Sequence, residues 1–187
     1  MSTPTEEPTV RDLAAEIINA VAVHGDDHIG IISAIKGPIA ALAKRDDLLE
    51  LGIPRQGNNV ASSQYLYFDG QLSILIFEVP KGETIPPHDH GVWEGFCVYR
   101  GQVHHKVYRR ADDGSVDDYA ELELLEGATL KAGEVTIVAP PADIHSFTAL
   151  MEGTIGLTFL NGVYNNNRNI YQPETNSYIA KRPLNLR

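Results

Sequence analysis

The sequence predicts a mainly β fold, with helices at the N-terminal end followed by one β-barrel in a single domain. Three observations predict it. Apolar residues repeat with a helical period up to about Leu51 and with a strand period from Tyr65 onward. Short strand-like runs then recur about every 8–12 residues between Gly-, Pro- and Asp-rich turns, the spacing of a sandwich or barrel. The 187 residues, 43% hydrophobic and 21% charged, suit one globular core.

Met1–Thr9 is polar and proline-punctuated and reads as a disordered tail, leaving residues 10–187 as the domain. Within it, 10–54 reads as helices, 60–162 as the barrel and 163–187 as a C-terminal extension. Leu13, Ile17 and Val21 recur at i, i+4 and i+8, with Ala14 and Ile18 widening the stripe. Gly25-Asp26-Asp27 ends this helix. A second pattern runs from about Ile31 to Leu51, with Gly37-Pro38 expected to split it and Gly52-Ile53-Pro54 to stop it. Strands are expected at Tyr65–Phe68 and Leu72–Val79, around the Asp69-Gly70 turn. Further strands are expected at Gly95–Tyr99, Gln102–Arg109, Tyr119–Leu125, Thr136–Ala139, His145–Leu150 and Ile155–Phe159. The stretch after Asn161 is too polar for a core strand, with Tyr164, Ile170 and Tyr171 as anchors.

Charge narrows the function. Fifteen Lys and Arg against 25 Asp and Glu give a formal net charge of -10. That field repels polyanions, so no nucleic acid and no anionic membrane is expected as partner. No apolar run reaches the ~18 residues of a spanning helix, and the N-terminus is acidic rather than basic and then apolar. The lone Cys97 excludes an intramolecular disulfide. A cytoplasmic protein acting on a small molecule is expected, and a homodimer is allowed.

The chemistry lies in the histidines. His88-Asp89-His90 sets two imidazoles at i and i+2, on one face of a strand. Glu94 follows past the turn-like Gly91, and His145 stands behind Pro140-Pro141-Ala142. Two strands facing each other across a small barrel can deliver such residues to one metal. Imidazoles suit iron, copper, nickel or zinc, and a carboxylate adds manganese. Glu94 reads equally as a direct ligand or as an acceptor orienting a histidine. His104 and His105 are adjacent, face opposite sides of a strand and cannot both serve the site; one is expected solvated and one half-buried. His24 and His28 are expected exposed. Tyr65, Tyr67, Tyr99 and Tyr108 are candidates to reach the barrel interior, Trp93 to wall the pocket or plug the mouth, and Cys97 reads as a small buried hydrophobe.

Written out, Gly82-x5-His88-x-His90-x3-Glu94-x6-Gly101 resembles the first motif of the cupin superfamily, a double-stranded β-helix (jelly-roll) barrel. The second motif is looser: Gly133, Pro140 and His145 are present, and the glycine before the last histidine is not. The string PPHDHGVWEGFCVYRG resembles the metal-binding segment of the cysteine dioxygenase family, closest to its bacterial, 3-mercaptopropionate dioxygenase-like branch. Arg168-Asn169-Ile170-Tyr171-Gln172-Pro173 matches that branch's Arg-x-x-Tyr-x-Pro, so the likeness spans roughly Leu13 to Tyr178.

The resemblance implies a mononuclear Fe(II) held by His88, His90 and His145, with Mn, Ni, Co, Cu or Zn as alternatives. It implies a dioxygenase that adds both atoms of O2 to a small thiol, giving a sulfinate, with Arg168 receiving the substrate carboxylate through its planar fork. The sequence departs from the family in three ways. Glu94 replaces a usual glycine, offering an anionic fourth ligand and a catalytic role. The Ser-x-His-x-Tyr network is missing from Gly156–Gly162. The arginine that the animal branch carries before the barrel has Tyr65 or Tyr67 in its place. Three histidines with a glutamate are also what quercetinase-like, diketone-cleaving and oxalate-degrading cupins use, on enols or carboxylates. A cupin that binds metal or ligand without turnover is the third reading.

Overall fold

The computed structural model describes residues 7–55, 63–162 and 168–181. Residues 1–6 of the expected tail and the anchor Tyr164 lie outside them. The elements are α1 (Val10–His24), α2 (His28–Leu42), α3 (Leu48–Leu51), β1 (Ile53–Pro54), β2 (Gln64–Phe68), β3 (Leu72–Val79), β4 (Thr84–His88) and β5 (Glu94–Arg100). There follow β6 (Gln102–Arg110), β7 (Leu122–Lys131), β8 (Val135–Val138), β9 (Ile144–Ala149), β10 (Thr154–Asn161), β11 (Arg168–Gln172) and β12 (Ser177–Lys181).

Helix α1 starts where a capping box makes it start: Asp12 N donates to Thr9 Oγ1 at 3.1 Å, and Thr9 N to Asp12 Oδ2 at 2.9 Å. Its buried stripe is Leu13, Ala14, Ile17 and Ala20, while Ile18 faces solvent. Helix α2 runs through Gly37-Pro38 without the expected break. Proline removes one backbone hydrogen bond there, but Ile31, Ile35, Ile39 and Leu42 form a fully buried stripe that spans the site. Packing of that stripe overrides the local penalty. His24 closes α1 and His28 opens α2, both half-buried rather than exposed.

Strands β3 to β10 pass back and forth between two antiparallel sheets, except that β6 and β7 are consecutive in one of them. Sheet one carries β3-β10-β5-β8 and sheet two β4-β9-β6-β7. That order is a jelly roll of two Greek keys, as expected. Sheet one is extended beyond β3 by β2 and β1, and sheet two beyond β4 by β11 and β12. The hairpin β11–β12 was not expected. The apolar pattern of 168–181 is weak because the hairpin is an edge, stabilised by five cross-strand pairs rather than by double-sided burial. Strand β7 also begins later than expected and runs through Gly127 to Lys131.

Sheet one is buried on both faces. Alternate residues Leu72, Ile74, Ile76, Cys97, Tyr99, Leu157 and Phe159 pack with the helices. The intervening Phe77, Val79, Phe96 and Val98 join Val103, Phe147 and Ala149 between the sheets. Double-sided burial explains why LSILIFEV reads as a continuous apolar run. Phe77, Phe96 and Phe147 fill the barrel with ring centroids 5.1 to 6.3 Å apart. Gly156 of β10 lies over them: a Cβ there would meet Phe77 Cζ at 2.6 Å and Phe96 Cε2 at 2.9 Å. Gly156→Ala is therefore expected to destabilise the fold by about 1–3 kcal/mol in denaturant titration, through overpacking.

Candidate metal centre

His88 ends β4, and its neighbour across the ladder is His145 of β9, with ring centroids 4.6 Å apart. His90 lies two residues past the end of β4 and turns its ring edge-on to His88 at 4.8 Å. The candidate ligand atoms of the three all lie within 4.8 Å of one another, close to twice a metal–nitrogen bond of ~2.1 Å. Expectation and structure differ in one respect: the two strands bearing these histidines are neighbours in sheet two rather than facing strands. Glu94 is the residue that comes from across, on β5 of sheet one.

Glu94 is buried, with Oε2 2.7 Å from His90 Nε2 and 3.7 Å from His145 Nε2. Thr158 of β10 donates to its other oxygen, and its hydroxyl also reaches Gly95 O at 3.1 Å. Burial pushes the Glu94 carboxyl up, but His90 and His145 beside it outweigh burial and hold it well below the usual carboxylate range. Burial pushes His88 well below the ordinary histidine value, and the neighbouring His145 and His90 add to that. His145 is held down at about 4, chiefly by burial. Burial thus favours the neutral imidazole at His88 and His145, the form that binds a metal.

Two of the rings are held through Nδ1. His88 Nδ1 lies 2.9 Å from Pro86 O. His145 Nδ1 lies 3.1 Å from His105 Nε2, both buried. His145 Nε2 is buried with no hydrogen-bond partner. Presenting a lone pair there requires the proton on Nδ1, donated to His105. An orphaned buried nitrogen aimed at two more imidazoles and a carboxylate fits a divalent metal, and the cluster can hold one. Fe(II) and the other N/O-binding ions named from the sequence all suit this donor set.

His105 is the residue that sequence reading passed over. It is buried, not half-buried, and stacks on Phe96 at 6.0 Å. Its inward position follows from the pairing of β6 with β9, which sets His105 against Phe147. Arg55 and Ser63 were also missed. They line the same cavity as His88, Glu94, Thr158 and Arg168, a small space of about 20 Å³ between the β3 and β4 edges.

Arg168 is buried at the start of β11. Asp89, between the two histidines, places it: Asn169 N donates to Asp89 Oδ1 at 2.8 Å, and Tyr171 Oη to Oδ2 at 2.6 Å. Gly91 N donates to Asp143 Oδ2 at 2.9 Å, joining the turn after His90 to the approach to His145. The other aromatic candidates fall away from the cavity. Tyr67, Trp93 and Tyr99 pack toward the helices, and Tyr99 Oη bonds Arg45 O. Tyr108 joins the outer cluster of Ile144 and Tyr171. Tyr65 stays near the mouth, with the Arg55 guanidinium 5.2 Å from its ring centre. Cys97 is buried against the helices, as expected.

No family model and no curated protein matches this chain. Among solved structures it is similar to hydroquinone 1,2-dioxygenase PnpCD in complex with Cd2+ and 4-hydroxybenzonitrile, at 13% identity and a TM-score of 0.42 over 54% of this chain. That match spans 63% of the dioxygenase chain. KdgF from Halomonas sp. is similar at 14% identity over 57% of this chain and 85% of its own, with a TM-score of 0.42. A cupin superfamily protein from Desulfitobacterium hafniense is similar at 16% identity over 62% of this chain and 88% of its own, with a TM-score of 0.43.

Two outcomes follow from this geometry. Replacing His105 by Phe keeps the ring packing on Phe96 but removes the acceptor for His145, so metal affinity is expected to fall about 10–100-fold in a competition titration with a chromophoric chelator. In metal-free protein, burial holds His145 at about 4 and His105 at about 3, whereas unfolded histidine titrates near ~6.5. The unfolded chain then binds more protons through that interval. Stability of the metal-free protein is expected to fall as pH drops from ~6.5 toward 4, read as the denaturant midpoint against pH.

Proposed function

We propose that this chain is a mononuclear metal-dependent dioxygenase acting on a small organic acid. The observation that carries the reading is the convergence of His88, His90, His145 and Glu94 beside a cavity lined by His88, Glu94 and the buried Arg168. A divalent metal held by the three histidines, Fe(II) first among the candidates, would supply a Lewis-acid site for the substrate's donor atom and for O2. Arg168 receives the substrate carboxylate through its fork. Leu75, Phe77, Ile85 and Phe147 keep the remaining wall apolar and limit water.

Glu94 separates the two substrate chemistries that the sequence leaves open. Its carboxylate against His90 and His145 lowers the positive charge offered to an incoming thiolate, and Thr158 fixes one oxygen so that Oε2 faces the site. This position favours an acid that brings an enol hydroxyl, to which Glu94 Oε2 offers a hydrogen-bond acceptor, over a thiol. Both atoms of O2 enter the product in either case, so no outside reductant is needed.

The first test is oxygen uptake by iron-loaded protein with cysteine, 3-mercaptopropionate, cysteamine, a β-diketone and a flavonol, with Mn- and Ni-loaded protein in parallel. Uptake with the enols and not the thiols is expected; uptake with thiols alone would return the chain to thiol oxidation. Glu94→Ala is expected to lower metal content by more than the ~10–100-fold that loss of an orienting partner costs. Unchanged loading would leave a site of three histidines.

A further inference from the structure

Glu94 turns its two oxygens to different partners. Oε2 faces the histidines, 2.7 Å from His90 Nε2 and 3.7 Å from His145 Nε2. Oε1 is met from within sheet one, where Thr158 of β10 donates its hydroxyl proton to it. The local structure makes this contact rigid. Thr158 is 2% exposed, lies opposite Phe96 of β5 and Leu75 of β3, and is β-branched, so its hydroxyl has few directions open to it. The same hydroxyl also lies 3.1 Å from Gly95 O. It carries one proton, and a carboxylate oxygen takes that proton in preference to a peptide carbonyl. Among the described residues no other donor reaches Oε1.

A carboxylate serves a metal through one oxygen or through both at once. For Glu94 to use both, it would have to rotate until Oε1 also left Thr158 for the histidines. The charge-assisted hydrogen bond from Thr158 is lost in that rotation and so opposes it. The number of protein donors then decides what else the metal can take. Three imidazoles and one carboxylate oxygen leave two positions on a six-coordinate ion, whereas a chelating carboxylate leaves one.

We infer that Thr158 is a positioning residue: it holds Glu94 to a single metal-facing oxygen and so keeps the metal open to two small ligands at once. This rests on the metal-site reading above and deepens it, because a dioxygenase has to seat its substrate's donor atom and O2 together.

The experiment loads the protein with Fe(II) without air and adds nitric oxide in place of O2. Azide is then titrated in as a stand-in for the substrate's donor atom, and the electron paramagnetic resonance signal of the nitric oxide adduct is followed. In the unaltered protein azide is expected to shift that signal without loss of amplitude, because both ligands are seated. In Thr158→Val no shifted signal is expected: with one position left, azide either bleaches the adduct signal or leaves it unmoved. Thr158→Ser is expected to regain the shift. Valine keeps the branched shape and serine keeps the hydroxyl, so a role in packing alone gives the reverse order. The shift persisting in Thr158→Val would overturn the inference. So would its absence from the unaltered protein, a result that needs no variant to fold. Failure of the metal-site reading looks different: protein that takes up no Fe(II) gives no adduct signal at any stage, and this inference falls with it.

Discussion

A buried carboxylate among buried imidazoles is the constraint on which this barrel depends. Taking Glu94 out of water is costly unless its charge is met by hydrogen bonds, polarised rings or a cation. Thr158 meets one oxygen, and His90 and His145 meet the other. His88 and His145 have the converse problem: burial favours their neutral form, so each needs an acceptor for its one proton. Pro86 O beside His88 and His105 beside His145 provide acceptors and leave the remaining nitrogens to converge. The polar centre is stable as a set, and removing one member strands the others.

The apolar structure serves that set from both sides. Behind sheet one, the helices replace solvent, so β3, β5 and β10 have no wet face and burial on both sides reinforces the register of their ladder. A one-residue slip would turn Glu94 and Thr158 outward to the helices and Cys97 and Leu157 inward. Inside, the Phe77–Phe96–Phe147 cluster fills the part of the barrel next to the site and supplies the ring on which His105 stacks. Gly156 is small because this cluster rises against its backbone.

The strands outside the jelly roll have a different task. They add little core, yet they carry Arg55 and Arg168 to the cavity. Asp89 links the two levels of organisation. As the residue between His88 and His90 it points away from the metal cluster, and there it binds Asn169 and Tyr171, which tie β11 against β4. The segment that supplies two of the clustered histidines therefore also fixes the arginine beside them.

Local spacing determined much of this. The i, i+2 separation of His88 and His90, the short reach to Glu94 and the change from helical to strand period are properties of neighbouring residues, and a strand or helix converts them directly into faces. Arg168 was marked only by a resemblance, since its own surroundings read as a polar loop. Four features were decided by contacts between distant parts of the chain. His105 turns inward only through the register of β6 on β9. Thr158 meets Glu94 only through β10 lying beside β5. Arg55 reaches the cavity only because β1 and β2 extend sheet one. Pro38 stays helical only because the buried stripe of α2 outweighs it. A sequence states which residues can share a face; which faces meet is settled by pairing and burial across many tens of residues, and in this chain that brought Thr158 to Glu94 and His105 to His145.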